Sequence, residues 1–168
     1  MTRDMAAKQR SSRAQAIGLI VSVAICYGAA LLGNLATMPQ IPTWYSGIAK
    51  PSWTPPDWVF GPVWSLLYAM MAIAAWLIWR NEDRKKSTIP LVWFAVQLIL
   101  NSFWSVLFFG MQKPSWSMVE VFFLWLAIFM TIRAFWPLSR WAASMLVPYL
   151  LWVSFASVLN VAIWQLNR

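Results

Sequence analysis

The 168-residue sequence contains no histidine. That absence excludes a His-based metal site, a Ser-His-Asp triad and a His-ligated haem. The single cysteine, Cys26, cannot form an intrachain disulfide, so cysteine usage leaves the redox compartment unread. Six glycines are present, none arranged as a phosphate-cradling loop. Charged residues make up 11% of the chain, against about 25% in an average soluble domain. A water-soluble globule of this size could not cover its surface with so few charges, which argues against a soluble enzyme and against a disordered chain. The net charge of +8 could suggest a nucleic-acid partner. The basic residues instead stand at the ends of apolar runs, so nucleic acid is not expected.

What the chain has in abundance is uncharged length. A membrane span needs about 20 apolar residues. No charge occurs from Ala14 to Met38, Trp58 to Trp79, Ser87 to Gln112 or Trp141 to Asn167, and Pro114 to Ile132 is interrupted only by Glu120. These intervals predict an all-α integral membrane protein, a five-transmembrane-helix bundle that fills residues 1–168 as one domain. The spans fall at about 14–37, 58–79, 88–109, 115–135 and 141–165, after a basic tail over 1–13. The first apolar run exceeds the usual signal-peptide core, so a retained span is expected there. Alternating the segments puts ten basic residues on the side of the N-terminus and three, Lys50, Lys113 and Arg168, on the other. For a chain inserted under the positive-inside rule, the N-terminus is then cytoplasmic.

Three connectors are of hairpin length, which predicts antiparallel neighbours. The exception is the loop 38–57 between helices 1 and 2, with Pro39, Pro42, Pro51, Pro55 and Pro56 beside Trp44, Tyr45 and Trp53. Proline fixes φ, so the reading is a stiffened loop. Its exit, Thr54-Pro55-Pro56-Asp57, reads as an N-cap hydroxyl, prolines in the first turn and an N3 carboxylate. The loop is either a plain connector or a lid over a ligand.

Polar side chains are costly in hydrocarbon, so they should mark inward faces. Gln97, Asn101 and Trp104 share one stripe of helix 3, and Tyr149, Trp152, Ala156 and Asn160 share one of helix 5. Similar spacing selects Tyr27, Leu31 and Asn34 on helix 1, Gly61, Ser65, Tyr68 and Ala72 on helix 2, and Trp116, Glu120 and Phe123 on helix 4. Taken singly, such residues need be no more than interhelical hydrogen bonds. As a set they describe a gap lined by aromatic faces and a few amides, suited to a flat, largely apolar ligand. Of the 14 tryptophans, Trp79, Trp136, Trp141 and Trp164 lie near span ends as interfacial anchors. Trp53, Trp104 and Trp152 do not fit that role. On helix 1, Gly18, Ser22 and Cys26, then Ala29 and Gly33, form a small-residue face for close packing within the bundle or between protomers.

The run Trp44-Tyr45, Lys50-Pro51-Ser52-Trp53-Thr54-Pro55-Pro56 and Trp58-Val59-Phe60-Gly61-Pro62-Val63-Trp64 resembles the first loop and second helix of the translocator protein family. That family includes the bacterial tryptophan-rich sensory proteins and the mitochondrial peripheral benzodiazepine receptor. Gln97-Leu98 with Asn101, Trp104 and Phe108-Phe109-Gly110 agrees as well, as does Pro148-Tyr149-Leu150 with Trp152, Phe155-Ala156 and Leu159-Asn160. The resemblance covers about residues 14–165. It implies a multi-pass protein of a bacterial cell membrane or the mitochondrial outer membrane that binds porphyrins such as protoporphyrin IX. It places the pocket on Trp44, Tyr45, Trp53, Asn101, Trp104 and Trp152, and together with the inward stripes adds Tyr68, Gln97, Tyr149, Ala156 and Asn160. Lys50 would reach a propionate at the mouth. No catalytic residue, metal ligand or required cofactor is expected; the porphyrin is a ligand. The family's sterol pattern needs a base within five residues of its tyrosine, and none follows Tyr149 before Arg168. A sterol and a second copy of the chain complete the candidate partners. Sensing by binding, transport, and light-dependent porphyrin degradation are the alternative functions. Glu120, the one acidic residue within a span, lies seven residues after Lys113, too near an interface for a typical ion-coupling site.

Overall fold

The computed structural model describes residues 11–80 and 84–168, with side chains for 11–80 and 86–168. Five helical stretches are long and apolar enough to cross a membrane, and no strand occurs among the described residues. The chain is a five-helix membrane bundle, as its uncharged intervals predict. The basic tail lies outside the described residues as far as residue 10. Helix α1 (Ser12–Thr37) starts where the Ser11 hydroxyl accepts the Ala14 N–H at 3.3 Å, relieving an N-terminal donor.

The segment after α1 departs from the expected loop. A 3₁₀ turn (Met38–Gln40) and a π turn (Ile41–Tyr45) carry the helix on, and helical winding persists through residue 47. Pro39 and Pro42 remove two N–H donors, so an ordinary i→i−4 ladder cannot continue, but their fixed φ remains compatible with helical winding. Hydroxyls add bonds to carbonyls within the segment. Thr43 donates to the Pro39 carbonyl at 2.9 Å, and Ser46 donates to those of Pro42 at 3.0 Å and Thr43 at 2.9 Å. The connector is therefore limited to about residues 48–56. The expected cap also fails. Thr54 donates to the Pro51 carbonyl at 2.8 Å, Pro56 occupies the N-cap position without a side-chain bond, and α2 (Asp57–Trp79) begins with Asp57 in its first turn.

Helix α3 (Arg84–Ser105) starts several residues before the expected 88 and runs on through a π turn, Val106–Gly110. Helix α4 spans Pro114–Phe135. The fifth crossing is two helices, α5 (Arg140–Met145) and α6 (Val147–Leu166), broken at Leu146. Pro148 has no N–H to return to the carbonyl four residues earlier, which accounts for the break.

In the core, α1 lies against α2 and α3, α3 against α4, and α4 against α6. Helix α2 also packs on α5, and small residues of both helices, Ala72, Ala74 and Ala75 and then Ala142 and Ala143, are buried. A Cβ on Gly18 would lie 2.2 Å from the Trp79 ring, so only glycine lets that indole settle on α1. The links α1–α2 and α3–α4 meet through Gln112 and Gln40 at 2.9 Å, and the α1–α2 link meets the end of α6 through Ala49 and Asn167 at 3.0 Å. Those three parts share one end of the bundle, as alternating antiparallel helices require.

Two of the expected inward faces turn outward. On α1, Leu31 is 58% exposed, Tyr27 and Asn34 are also exposed, and Gly18, Cys26 and Gly33 are the buried residues. On α4, Trp116 and Phe123 are exposed while Glu120 is buried. On α2, Gly61 and Ser65 are exposed, whereas Tyr68 and Ala72 are buried. Lipid rewards apolar rings and aliphatic chains on the outside, so the small residues win the close contacts.

Candidate functional site

At the centre of the bundle one amide joins three helices. Tyr68 of α2 donates to Asn101 Oδ1 of α3, and Asn101 Nδ2 donates to the Tyr149 hydroxyl of α6 at 2.9 Å. All three residues are buried. One turn away, Gln97 Nε2 reaches Met71 Sδ at 3.9 Å, a weak contact, and its Oε1 has no hydrogen-bond partner among the described residues. Trp104 Nε1 and both Glu120 carboxylate oxygens are likewise buried without partners there.

Between this triad and the connector, rings replace backbone contact. The α2 backbone packs closely on α1 and α5 but scarcely on α6. The interval is bridged by Trp64 with Tyr149 at 6.2 Å between centroids and Phe60 with Trp152 at 5.8 Å. Trp152 meets Phe155 at 5.5 Å, and Phe155 meets the loop residue Trp53 at 5.8 Å. Trp53 is 47% exposed and so forms the outer rim of the layer. A second group is closed. Trp104 stacks on Phe108 at 5.0 Å, and Trp44 and Tyr45 meet Phe108 edge-on at 5.6 and 6.4 Å. The π turn after Ser105 brings Phe108 and Phe109 beside the Trp104 ring. Each such ring pair contributes about 0.5–1.5 kcal/mol beyond area burial.

The structure thus brings together Trp44, Tyr45, Trp53, Tyr68, Asn101, Trp104, Tyr149 and Trp152, with Gln97 beneath them and Ala156 half-buried one turn beyond Trp152. Asn160 points elsewhere. Its Nδ2 donates to the Pro114 carbonyl at 2.8 Å and its Oδ1 accepts from Ser117 at 2.8 Å, so both amide atoms tie α6 to the start of α4. Lys50 turns back on its own chain: its ammonium donates to the carbonyls of Tyr45 and Ile48 and lies 4.5 Å from the Tyr45 ring centre. There it caps carbonyls at the end of the α1 extension. Among the described residues no group of His, Cys, Asp or Glu is placed to hold a metal ion. A separate cleft of about 300 Å³ lies between α4 and α6, lined by Val121, Phe122, Trp125, Ser154 and Ser157 among others.

Residues that the sequence reading left out of the site are Phe60, Trp64, Phe108, Phe109 and Phe155. Phe108 and Phe109 follow Asn101 by seven and eight residues, which extends the inward stripe, and Phe155 lies between Trp152 and Leu159. Nothing in the sequence marks Asn167, whose side chain reaches the connector 118 residues away.

These features define a multi-pass membrane protein whose helices are held apart on one side by aromatic rings. The profile of the TspO/MBR family matches residues 22–165, and the chain belongs to that family. It is 42% identical over 154 residues to the tryptophan-rich protein TspO of Chlorobaculum tepidum, covering 91% of this chain and 98% of the relative. It is 39% identical to the human translocator protein over 127 residues, 74% of this chain and 75% of the relative. A tryptophan-rich sensory protein of Cereibacter sphaeroides is 35% identical over 145 residues, 86% of this chain and 88% of the relative.

Proposed function

We propose that this membrane protein binds a flat, largely apolar tetrapyrrole such as protoporphyrin IX between the ring-bearing faces of α2 and α6, and acts as a receptor in porphyrin handling. The carrying observation is the layer Phe60–Trp152–Phe155–Trp53, which spans two helices whose backbones stay apart and ends on a half-exposed indole. A planar ligand can slide between such rings and exchange ring–ring contact for ring–ligand contact at little net cost in apolar area. Trp104 Nε1 supplies a buried donor near the floor, and the floor itself is set by the Tyr68–Asn101–Tyr149 triad. The words "translocator" and "sensory" in the relatives' names accord with a ligand-handling role.

The test is a tryptophan-fluorescence titration of the purified protein with protoporphyrin IX and, separately, with a sterol. A saturable response to the porphyrin in the micromolar range and none to the sterol is expected. Trp53→Phe and Trp152→Phe should each weaken porphyrin affinity about fivefold, the effect of losing about 1 kcal/mol of ring contact. Because both indoles touch Phe155, the double variant should lose less than the product of the two. Parent-like affinity in the double variant would place the ligand elsewhere.

A further inference from the structure

Asn167 makes three hydrogen bonds with one carboxamide. Its Oδ1 accepts the Ala49 N–H at 3.0 Å, and its Nδ2 donates to the Ala49 carbonyl at 2.9 Å and to the Ile163 carbonyl at 2.7 Å. Both N–H groups and the oxygen are therefore in use. The exchange with Ala49 copies the pairing of two residues in an antiparallel ladder, with a side chain in place of the second strand. The bond to Ile163 satisfies a carbonyl of the last α6 turn, so the same side chain is anchored to the helix while it grips the connector.

What lies beneath gives the grip its meaning. Ile163 and Leu159 of α6 pack in one apolar group with Tyr45 and Phe108, and Ile48, next to Ala49, closes over that group. Pro51, Pro55 and Pro56 stiffen the connector beyond. Lys50 ties the start of the connector to the end of the α1 extension. Ala49 and Asn167 are both exposed, where water competes for every bond. The grip can open without burying an unpaired group.

We propose that Asn167 is the latch of the ring-lined site proposed above: its carboxamide holds segment 48–56 against α6, and its release is the step by which ligand enters and leaves. The part concerning ligand rests on the function proposed above; the part concerning the connector does not. Asn167 is a positioning residue, so it sets rates of exchange more than affinity.

The experiment uses the full chain in lipid nanodiscs. In a Cys26→Ser, Leu159→Cys background, the thiol under the connector reports opening through its rate of alkylation by N-ethylmaleimide. Adding Asn167→Ala should speed alkylation about tenfold and raise hydrogen exchange at the Ala49 amide, while amides within α4 stay unchanged. With protoporphyrin IX as probe, association and dissociation should both quicken about tenfold, leaving Kd nearly constant. As a second arm, Ala49→Cys with Asn167→Cys in the Cys26→Ser chain replaces the grip by a disulfide. Oxidation should slow both ligand rates below those of the parent, and reduction should restore fast exchange. Unchanged alkylation in Asn167→Ala, or ligand rates indifferent to the disulfide, overturns the latch. Failure of protoporphyrin IX to bind the parent sinks the ligand reading alone, and the alkylation rates then decide the latch.

Discussion

A single missing side chain fixes how α1 meets α2. Gly18 leaves room for the Trp79 ring, and a Cβ there would stand 2.2, 2.6 and 2.7 Å from three of its carbons. Gly28, on the same helix, has nothing within 4 Å of the corresponding point. Gly18→Val should therefore lower the unfolding midpoint in detergent by the equivalent of about 1–3 kcal/mol, the usual cost of overpacking. Gly28→Ala should be neutral or slightly stabilising, because alanine suits a helix better than glycine. Equal midpoints for the two variants would mean that the indole moves aside freely. Legibility differs sharply at this scale. Asn101, Tyr68 and Tyr149 were readable as inward residues because a buried amide and two phenols need one another. Tyr27, Leu31, Asn34, Trp116 and Phe123 misled because equal spacing defines a stripe without saying which side of it faces lipid, and lipid accepts rings as readily as a core does.

Among the elements, the segment joining α1 to α2 differs most from its sequence reading. Its prolines point to a stiffened loop, whereas the chain takes helical turns through residue 47, with Thr43 and Ser46 hydroxyls bonded to carbonyls one turn back. The stretch open to a protease is thus expected around Ser52 and Trp53, both exposed, and not between Gln40 and Gly47. Limited proteolysis should nick there, protoporphyrin IX should slow the nick, and nicked protein should lose affinity. Equal cleavage with and without the porphyrin, with affinity intact afterwards, would reduce the segment to a connector. The number of spans was legible because charge cannot be hidden in hydrocarbon, although α3 starts at Arg84 and winding after α1 runs on through residue 47. The π turn at Val106–Gly110 and the break at Leu146 were not, since both depend on which carbonyls find partners once the helices are packed.

Taken whole, the bundle offers aromatic surface but poor axial ligands. There is no histidine, Cys26 is fully buried, and the Tyr68 and Tyr149 hydroxyls are engaged by Asn101. Free-base protoporphyrin IX should consequently bind at least as well as iron haem, which elsewhere gains affinity from an axial bond. A six-coordinate haem spectrum abolished by replacing one Met or Tyr would contradict this. The peripheral position of α1 carries a different consequence. Only Gly18, Cys26 and Gly33 of its 26 residues are buried, and the amide triad joins α2, α3 and α6 without it. Helices inserted independently can associate afterwards in the bilayer. A chain divided at Ser52 should therefore reassemble when its two pieces are co-expressed, with Trp79 as the knob and Gly18 as the socket that rejoins them, and Gly18→Val should abolish co-purification of the halves.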